Sequence, residues 1–324
     1  MNLDIFFYET FQEEEELLRK YLPPGVTAEF TWKTIQEAQH TEPPAGIISV
    51  RTQSVLPLQW ASRLNAILSR STGYNHLLKY KADSGTDLIC GYLPLYCHRA
   101  VAEQAMLLWM TLWRRLPLQI KQFRTFSRDG LTGLEAQGKE LLVVGVGNIG
   151  YEVVKIGTGL DMKVTGVDIV ERHEDVTYKP IRQAIGQADV VVCAMNLTAR
   201  NRAYFNYELL KKMRKGSLFI NVSRGEISPS LDLLRVLKER HIGGVALDVY
   251  DEESELAMAL RQGKASMNPQ VRAVLEMMDM DNVILTPHNA FNSIEGVERK
   301  ARQSMEQVSH FFRTGEFKWM IPDV

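Results

Sequence analysis

Three side chains of complementary chemistry stand just beyond three runs of strand-forming residues: Arg224 after "SLFINV", Glu253 after "GGVALDV" and His288 after "NVILTP". An arginine offers a planar fork of donors that grips a carboxylate and polarises an adjacent carbonyl. A histidine within reach of that carbonyl oxygen can supply a proton and, in reverse, take it back. A glutamate hydrogen-bonded to the imidazole would hold the ring in place. Taken alone, each has an ordinary explanation, as a satisfied polar residue at a strand end or half of a surface ion pair. Together they are the groups that hydride transfer to a 2-oxo acid requires.

They act together only if the strands before them are neighbours. From residue 140 onward, "ELLVVGV", "KVTGVD", "DVVVCA", "SLFINV", "GGVALDV" and "NVILTP" alternate with helix-length segments, the rhythm of a parallel, doubly wound sheet. The expected strand order, 3-2-1-4-5-6, sets the last three strand ends side by side on the ligand-binding edge. Gly145, Gly147 and Gly150 form G-x-G-x-x-G between the first strand and the first helix, and Asp168 closes the second strand. The first glycine permits a tight turn, the second lets backbone approach a pyrophosphate, and the third lets helix and strand pack closely, with the helix N-terminus facing the phosphate charge. A carboxylate at Asp168 accepts hydrogen bonds from the adenosine ribose and repels a 2′-phosphate, which points to NAD.

Residues 1 to about 98 carry a weaker version of this rhythm, with candidate strands "LDIFFYE", "GIISVR", "NAILSR" and "TDLIC" and helical patterns "EEEELLRKYL" and "PLQWASRL". The expected fold class is α/β, with two Rossmann-like or flavodoxin-like domains, doubly wound parallel sheets and a cleft between them. Two domains also suit 324 residues, more than one core usually organises. A long helix around "RAVAEQAMLLWMTLWRRL" joins the domains, and the helical tail ended by Gly315 can return to the first. The expected boundaries are a discontinuous substrate domain, 1–98 with 291–324, and a dinucleotide-binding domain, 99–290.

With 38 Lys and Arg against 39 Asp and Glu there is no global field to attract a polyanion or an acidic membrane, so neither nucleic acid nor membrane is an expected partner. Cys90, Cys97 and Cys193 show no C-x-x-C spacing, which argues against a disulfide framework or a thiolate metal site. An acidic flank at the start, where a secretory signal is basic, indicates the cytoplasm. The apolar run "AMLLWMTLW" falls short of the roughly 20 residues of a membrane span. Glu13 to Glu16 read as the acidic first turn of a helix. In "DVYDEESE" the carboxylates lack the regular spacing of a hard-cation loop, so no metal is expected and Asp251, Glu252 and Glu255 read as a solvated loop. A Cys97–His98 nucleophile is disfavoured because adjacent residues seldom face each other productively. An Asp248–Glu253 hydrolytic pair would leave the glycine loop unexplained.

The chain resembles the D-isomer-specific 2-hydroxyacid dehydrogenases through "RSTGYNHL" (70–77), "RAVAEQA" (99–105), "GVGNIG" with Asp168, "NVSRGE" (221–226), "ALDVYDEE" (246–253) and "TPHNAF" (286–291), all in family order. The resemblance implies that Arg224, Glu253 and His288 are catalytic. It also implies that Asn148, Ile149 and Asp168 hold the pyrophosphate and ribose of NAD, that Met195, Asn196 and Val222 add cofactor contacts, and that Asp248 binds the nicotinamide carboxamide. Backbone amides around Thr72 and Gly73 would bind the carboxylate of a small 2-oxo or 2-hydroxy acid, and the assembly would be a homodimer. The segments "LPLYCHRAVAE" and "TPHNAF" are similar to those of D-lactate dehydrogenases, which makes Tyr96 a candidate substrate contact. Arg51 stands where lactate enzymes tend to be uncharged; it would meet a second acidic group on a larger substrate or form an ion pair at the domain rim. Ser254 and Asn196 each replace a proline usual in the family. Two other readings share the scaffold: a nucleotide-sensing protein similar to the C-terminal-binding corepressors, and a formate or phosphite dehydrogenase.

Overall fold

In the computed structural model, which describes residues 3–322, the chain divides into two compact units, Met1–Cys97 with Asn292–Val324, and His98–Phe291. The first is built on five parallel strands, β1 (Ile5–Phe7), β2 (Ala28–Phe30), β3 (Ile47–Val50), β4 (Ala66–Ser69) and β5 (Ile89–Gly91), in the order β2-β1-β3-β4-β5. Strands β1, β3 and β4 are buried along their whole length, as expected of a sheet covered on both faces. Strand β2 carries no sequence signal: it has three residues, and Glu29 at its centre is exposed. The pattern "PLQWASRL" predicts a helix, but only a 3₁₀ turn forms, Leu58–Trp60. Leu58 stays exposed, while Trp60, Ala61 and Leu64 are buried in the core of the unit and Trp60 donates its Nε1 proton to the Thr41 carbonyl at 3.1 Å. The C-terminal helix, Ile294–Thr314, packs against helix Gln12–Tyr21. It is capped by the Ser293 hydroxyl, which accepts from the Gly296 amide, and ends at Gly315 with φ 82°.

The second unit holds six parallel strands, β6 (Glu140–Val144), β7 (Lys163–Val167), β8 (Val190–Cys193), β9 (Leu218–Asn221), β10 (Gly244–Leu247) and β11 (Val283–Leu285), ordered β11-β10-β9-β8-β6-β7. The third strand in sequence therefore lies beside the first, not outside the second as expected. The outer place is taken by one parallel bridge, Gly166 to Tyr178, in a segment that Pro180 prevents from extending as a ladder. The last three strands do stand side by side. Helix His98–Trp113 is shorter than the sequence pattern suggests: Arg115 adopts φ 50° and a second helix, Leu116–Gln122, begins. Among the described residues no helix is long and apolar enough to cross a membrane.

The acidic run 13–16 does open a helix, Gln12–Tyr21, with Glu13, Glu14 and Glu15 in its first turn, but one of these carboxylates is not at the surface. Glu14 is fully buried, with its Oε1 2.7 Å from Lys300 Nζ and 3.0 Å from Arg70 Nε, and both cations are fully buried too. Arg70 also donates to Ser49 Oγ and to the Tyr8 and Glu9 carbonyls, so it ties β1, β3 and β4 together at one end. Burial by itself would raise the Glu14 pKa, but Lys300, Arg70 and Arg51 outweigh it and hold the carboxyl down at about 2. A carboxyl depressed in the folded state contributes stability that is present above its ordinary value of 4.5 and is lost as pH falls toward 2. Urea-unfolding midpoints measured from pH 6 to pH 2.5 should therefore fall steeply for the wild type across that window. Glu14→Gln should be less stable at pH 6 by about 3–5 kcal/mol, the usual cost of breaking a buried pair, and should show a shallower acid slope.

Candidate active site

Strands β9, β10 and β11 pair in register, Asn221 with Leu247 and Leu247 with Leu285, so the residues that follow them leave from one edge of the sheet. Arg224 lies three positions beyond β9 in a loop held by Asn221. The Asn221 Nδ2 donates to the Arg224 carbonyl at 2.9 Å, and its Oδ1 accepts from the Ser223 amide and hydroxyl. Gly225 keeps this loop against the end of β10, because a Cβ there would lie 1.8 Å from the Tyr250 carbonyl carbon.

His288 follows β11 in a three-residue turn closed by its own N–H to the Thr286 carbonyl at 2.9 Å. It adopts φ 50°, which is costly for a side chain other than glycine and persists only where the surroundings impose it. Asp248 imposes it. This buried carboxylate accepts from Thr286 Oγ1 at 2.6 Å and from the Asn289 and Ala290 amides at 2.9 Å each. Burial pushes its pKa up, and these three hydrogen bonds pull against that rise. The Tyr250 hydroxyl adds a bond to the Thr286 carbonyl at 2.7 Å. Thr286, Tyr250 and Asn221 are the site residues that reading for reactive groups overlooked; all three stand in or beside the motifs that carry Asp248, His288 and Arg224.

Glu253 opens helix Glu253–Gln262, where the positive end of the helix dipole suits a carboxylate. Its Oε1 and Oε2 lie 2.8 and 2.9 Å from His288 Nδ1. Because a carboxylate only accepts, this contact assigns the Nδ1 proton and leaves Nε2 for a ligand.

The glycine loop runs from β6 into helix Asn148–Gly159. A Cβ on Gly150 would meet the Gly145 carbonyl oxygen at 1.9 Å, so helix and strand pack at a separation only glycine allows. At Gly147, by contrast, a Cβ would meet nothing within 4 Å, and the exposed Asn148 and partly buried Ile149 begin the helix beside that open space. Asp168 Oδ2 accepts from the Val146 amide at 2.6 Å, and Oδ1 from the Ile169 and Val170 amides. Across the loop, Met195 backbone lies against Gly145, Asn196 accepts from Asn201 Nδ2 through its carbonyl, and Val222 is buried.

In the first unit, Thr72 and Gly73 follow β4, with the Ser71 hydroxyl donating to the Gly73 carbonyl at 2.6 Å and Thr72 Oγ1 3.4 Å from Cys97 Sγ. Tyr96 is buried, and its carbonyl accepts from Arg299 Nε. Arg51 directly follows β3 and is partly exposed. All three cysteines are free and buried, with burial pushing the Cys90 thiol up to about 12 and that of Cys193 up to about 11.

The family model described as D-isomer specific 2-hydroxyacid dehydrogenase, NAD binding domain, matches residues 106–290, more than half of the chain. The chain belongs to the D-isomer-specific 2-hydroxyacid dehydrogenase family. It is 29% identical over 327 residues to 2-hydroxyacid dehydrogenase A of Aspergillus oryzae, covering 96% of this chain and 92% of that protein. It is 28% identical over 251 residues to a D-lactate dehydrogenase of Escherichia coli, 75% of each chain. The structure of a D-lactate dehydrogenase from Aquifex aeolicus complexed with NAD and lactic acid superposes with a TM-score of 0.83 at 26% identity, over 97% of this chain and 99% of that one. The protein is thus an NAD-dependent oxidoreductase acting on the CH–OH group of 2-hydroxy acids.

NAD fits the residues present in this D-2-hydroxyacid dehydrogenase. The open space at Gly147 before a helix N-terminus suits a pyrophosphate, and Asp168, anchored at the loop, retains lone pairs for ribose hydroxyls. Asp168→Ala is expected to narrow the ratio of kcat/KM with NADH to that with NADPH by removing the charge that repels a 2′-phosphate, and Asp168→Asn, which keeps an acceptor for Val146, should narrow it as well. A ratio unchanged in both variants would assign the preference to other residues.

Proposed function

We propose that this dehydrogenase interconverts a small 2-oxo acid and its D-2-hydroxy acid, in the manner of the D-lactate dehydrogenases it resembles. The observation that carries the reading is the Glu253–His288 pair, an imidazole locked through Nδ1 with Nε2 left to exchange a proton. Bound NADH supplies the hydride that reaches the carbonyl carbon. His288 Nε2 gives its proton to the carbonyl oxygen as negative charge develops there, and reclaims it in the oxidative direction. Glu253 keeps the ring aligned throughout, and Arg224 grips the substrate carboxylate and polarises the carbonyl beside it. Amides around Thr72 and Gly73 share the carboxylate, and Tyr96 and Arg51 contact the rest of the substrate. Asp248 accepts three bonds from the His288 turn and has one lone-pair position left for the nicotinamide carboxamide.

A homodimer is part of the same reading. It is supported by the apolar residues exposed along 116–126, where Ile120 is 66%, Phe123 73% and Phe126 70% accessible, more than an isolated surface segment ordinarily shows.

NADH oxidation followed by absorbance should show turnover of 2-oxo acids. His288→Gln is expected to lower kcat by on the order of 10² to 10⁴ while NADH binding, read by fluorescence titration, changes little. Full activity in that variant would remove His288 from the mechanism. In light scattering, Ile120→Lys/Phe123→Lys should run as a monomer where the wild type runs as a dimer; a variant of unchanged mass would place the interface elsewhere.

A further inference from the structure

The sheet order β2-β1-β3-β4-β5 reverses direction between β1 and β3, and in doubly wound sheets ligands occupy the crevice beyond the strand ends at that reversal. What the chain places there is a graded cluster of charge. Beyond β1, Glu9 turns through φ 56° and its two carboxylate oxygens accept from the Arg51 and Gln53 amides at 2.8 and 3.1 Å, which pins the chain leaving β3. The Arg51 guanidinium lies 5.9 Å from the Phe11 ring centre, and Lys300 Nζ lies 5.7 Å from the same ring and 5.9 Å from that of Tyr96. Behind them sit Glu14 and Arg70. Exposure therefore falls from the partly exposed Arg51 to none at Lys300, Arg70 and Glu14.

Stability alone does not explain this arrangement. Lys300 lies on a helix face whose other buried members include Val297, Ala301 and Met305. A well-packed apolar pair in place of Lys300 and Glu14 would commonly be as stable as the ion pair or more so. Charges kept in a core at the ligand-binding end of a sheet are functional candidates.

We infer that Arg51, backed by Lys300, binds a second anionic group on the substrate, so that the preferred substrate is an acidic 2-oxo acid bearing a carboxylate or phosphate on its side chain. The inference rests on the reading above, in which the first carboxylate is taken at Thr72 and Gly73 beyond the adjacent strand β4. Neighbouring strands lie roughly 5 Å apart, so an arginine beyond β3 can reach the far end of a four- or five-carbon diacid bound beyond β4. Lys300 supplies a proton-dependent part of the attraction. Burial first, then Arg51 and Arg70, pull its pKa down to about 7 against the opposing pull of Glu14. Lys300 is then charged below that pH and loses its charge above it. An anion arriving beside Arg51 favours the charged form.

The test is NADH oxidation by the full chain with pyruvate, oxaloacetate, 2-oxoglutarate and 3-phosphohydroxypyruvate. Expected are a kcat/KM for at least one diacid or the phosphorylated acid above that for pyruvate, and a fall of roughly 10- to 100-fold in that ratio in Arg51→Leu, the usual worth of hydrogen bonds to a charged group. The better acidic substrate distinguishes carboxylate from phosphate. For oxaloacetate and 2-oxoglutarate, whose carboxylates are ionised throughout this range, the ratio should also decline between pH 6 and pH 8 in the wild type, because His288 serves both substrates and cancels, and this decline should flatten in Glu14→Leu/Lys300→Met. A wild type that prefers pyruvate, or a ratio that Arg51→Leu leaves unmoved, overturns the inference and leaves the 2-oxo acid reading standing. Absence of turnover with every 2-oxo acid overturns that reading and this inference with it.

Discussion

The geometry of the catalytic unit depends on one buried carboxylate. Asp248 leaves β10 and accepts three hydrogen bonds from the turn that leaves β11, two of them from main-chain amides, that of the buried Ala290 among them. Those bonds hold His288 in a left-handed conformation, and that conformation presents Nδ1 to Glu253. Charge, backbone strain and side-chain orientation are linked here in a single chain of contacts. The same buried carboxylate thereby sets the orientation of the imidazole.

Buried charge is used differently in the first unit. Arg70 spreads its donors over Glu14, Ser49 and two carbonyls, so it works as a rivet among three strands, and Lys300 brings a second cation to the same glutamate oxygen. Such clusters stabilise little in net terms, because desolvation consumes most of the attraction between the ions. Their value lies in setting a local potential and one well-defined arrangement of groups. The substrate role proposed for Arg51 rests on that potential.

Much of the site was legible before folding was considered. The glycine loop, Asp168, and the residues just past "SLFINV", "GGVALDV" and "NVILTP" announce themselves because they lie within local patterns of period two or fixed spacing. The misses have physical causes of their own. Strand β2 is too short to alternate, and the apolar residues Trp60, Ala61 and Leu64 of "PLQWASRL" enter the core from a single 3₁₀ turn and the residues after it. The third run of strand residues was put on the wrong side of the sheet because a single bridge at Tyr178 already occupies the outer position. The first-turn reading of Glu13 to Glu16 holds, but the burial of Glu14 is not legible in it because its partners Arg70 and Lys300 come from distant parts of the chain.

By itself the sequence determined the class of the fold, the family and the place of the glycine loop, and it named Arg224, Glu253 and His288 as candidates, since all of these are written in residues close together along the chain. Tertiary structure alone decided which carboxylate does which work. Glu253 reaches the imidazole, Asp248 holds the turn, Asp168 braces the glycine loop and Glu14 gathers two buried cations. Four similar carboxylates acquire four roles because burial and the donors brought to them from elsewhere in the chain, not residue type, determine what a carboxylate does.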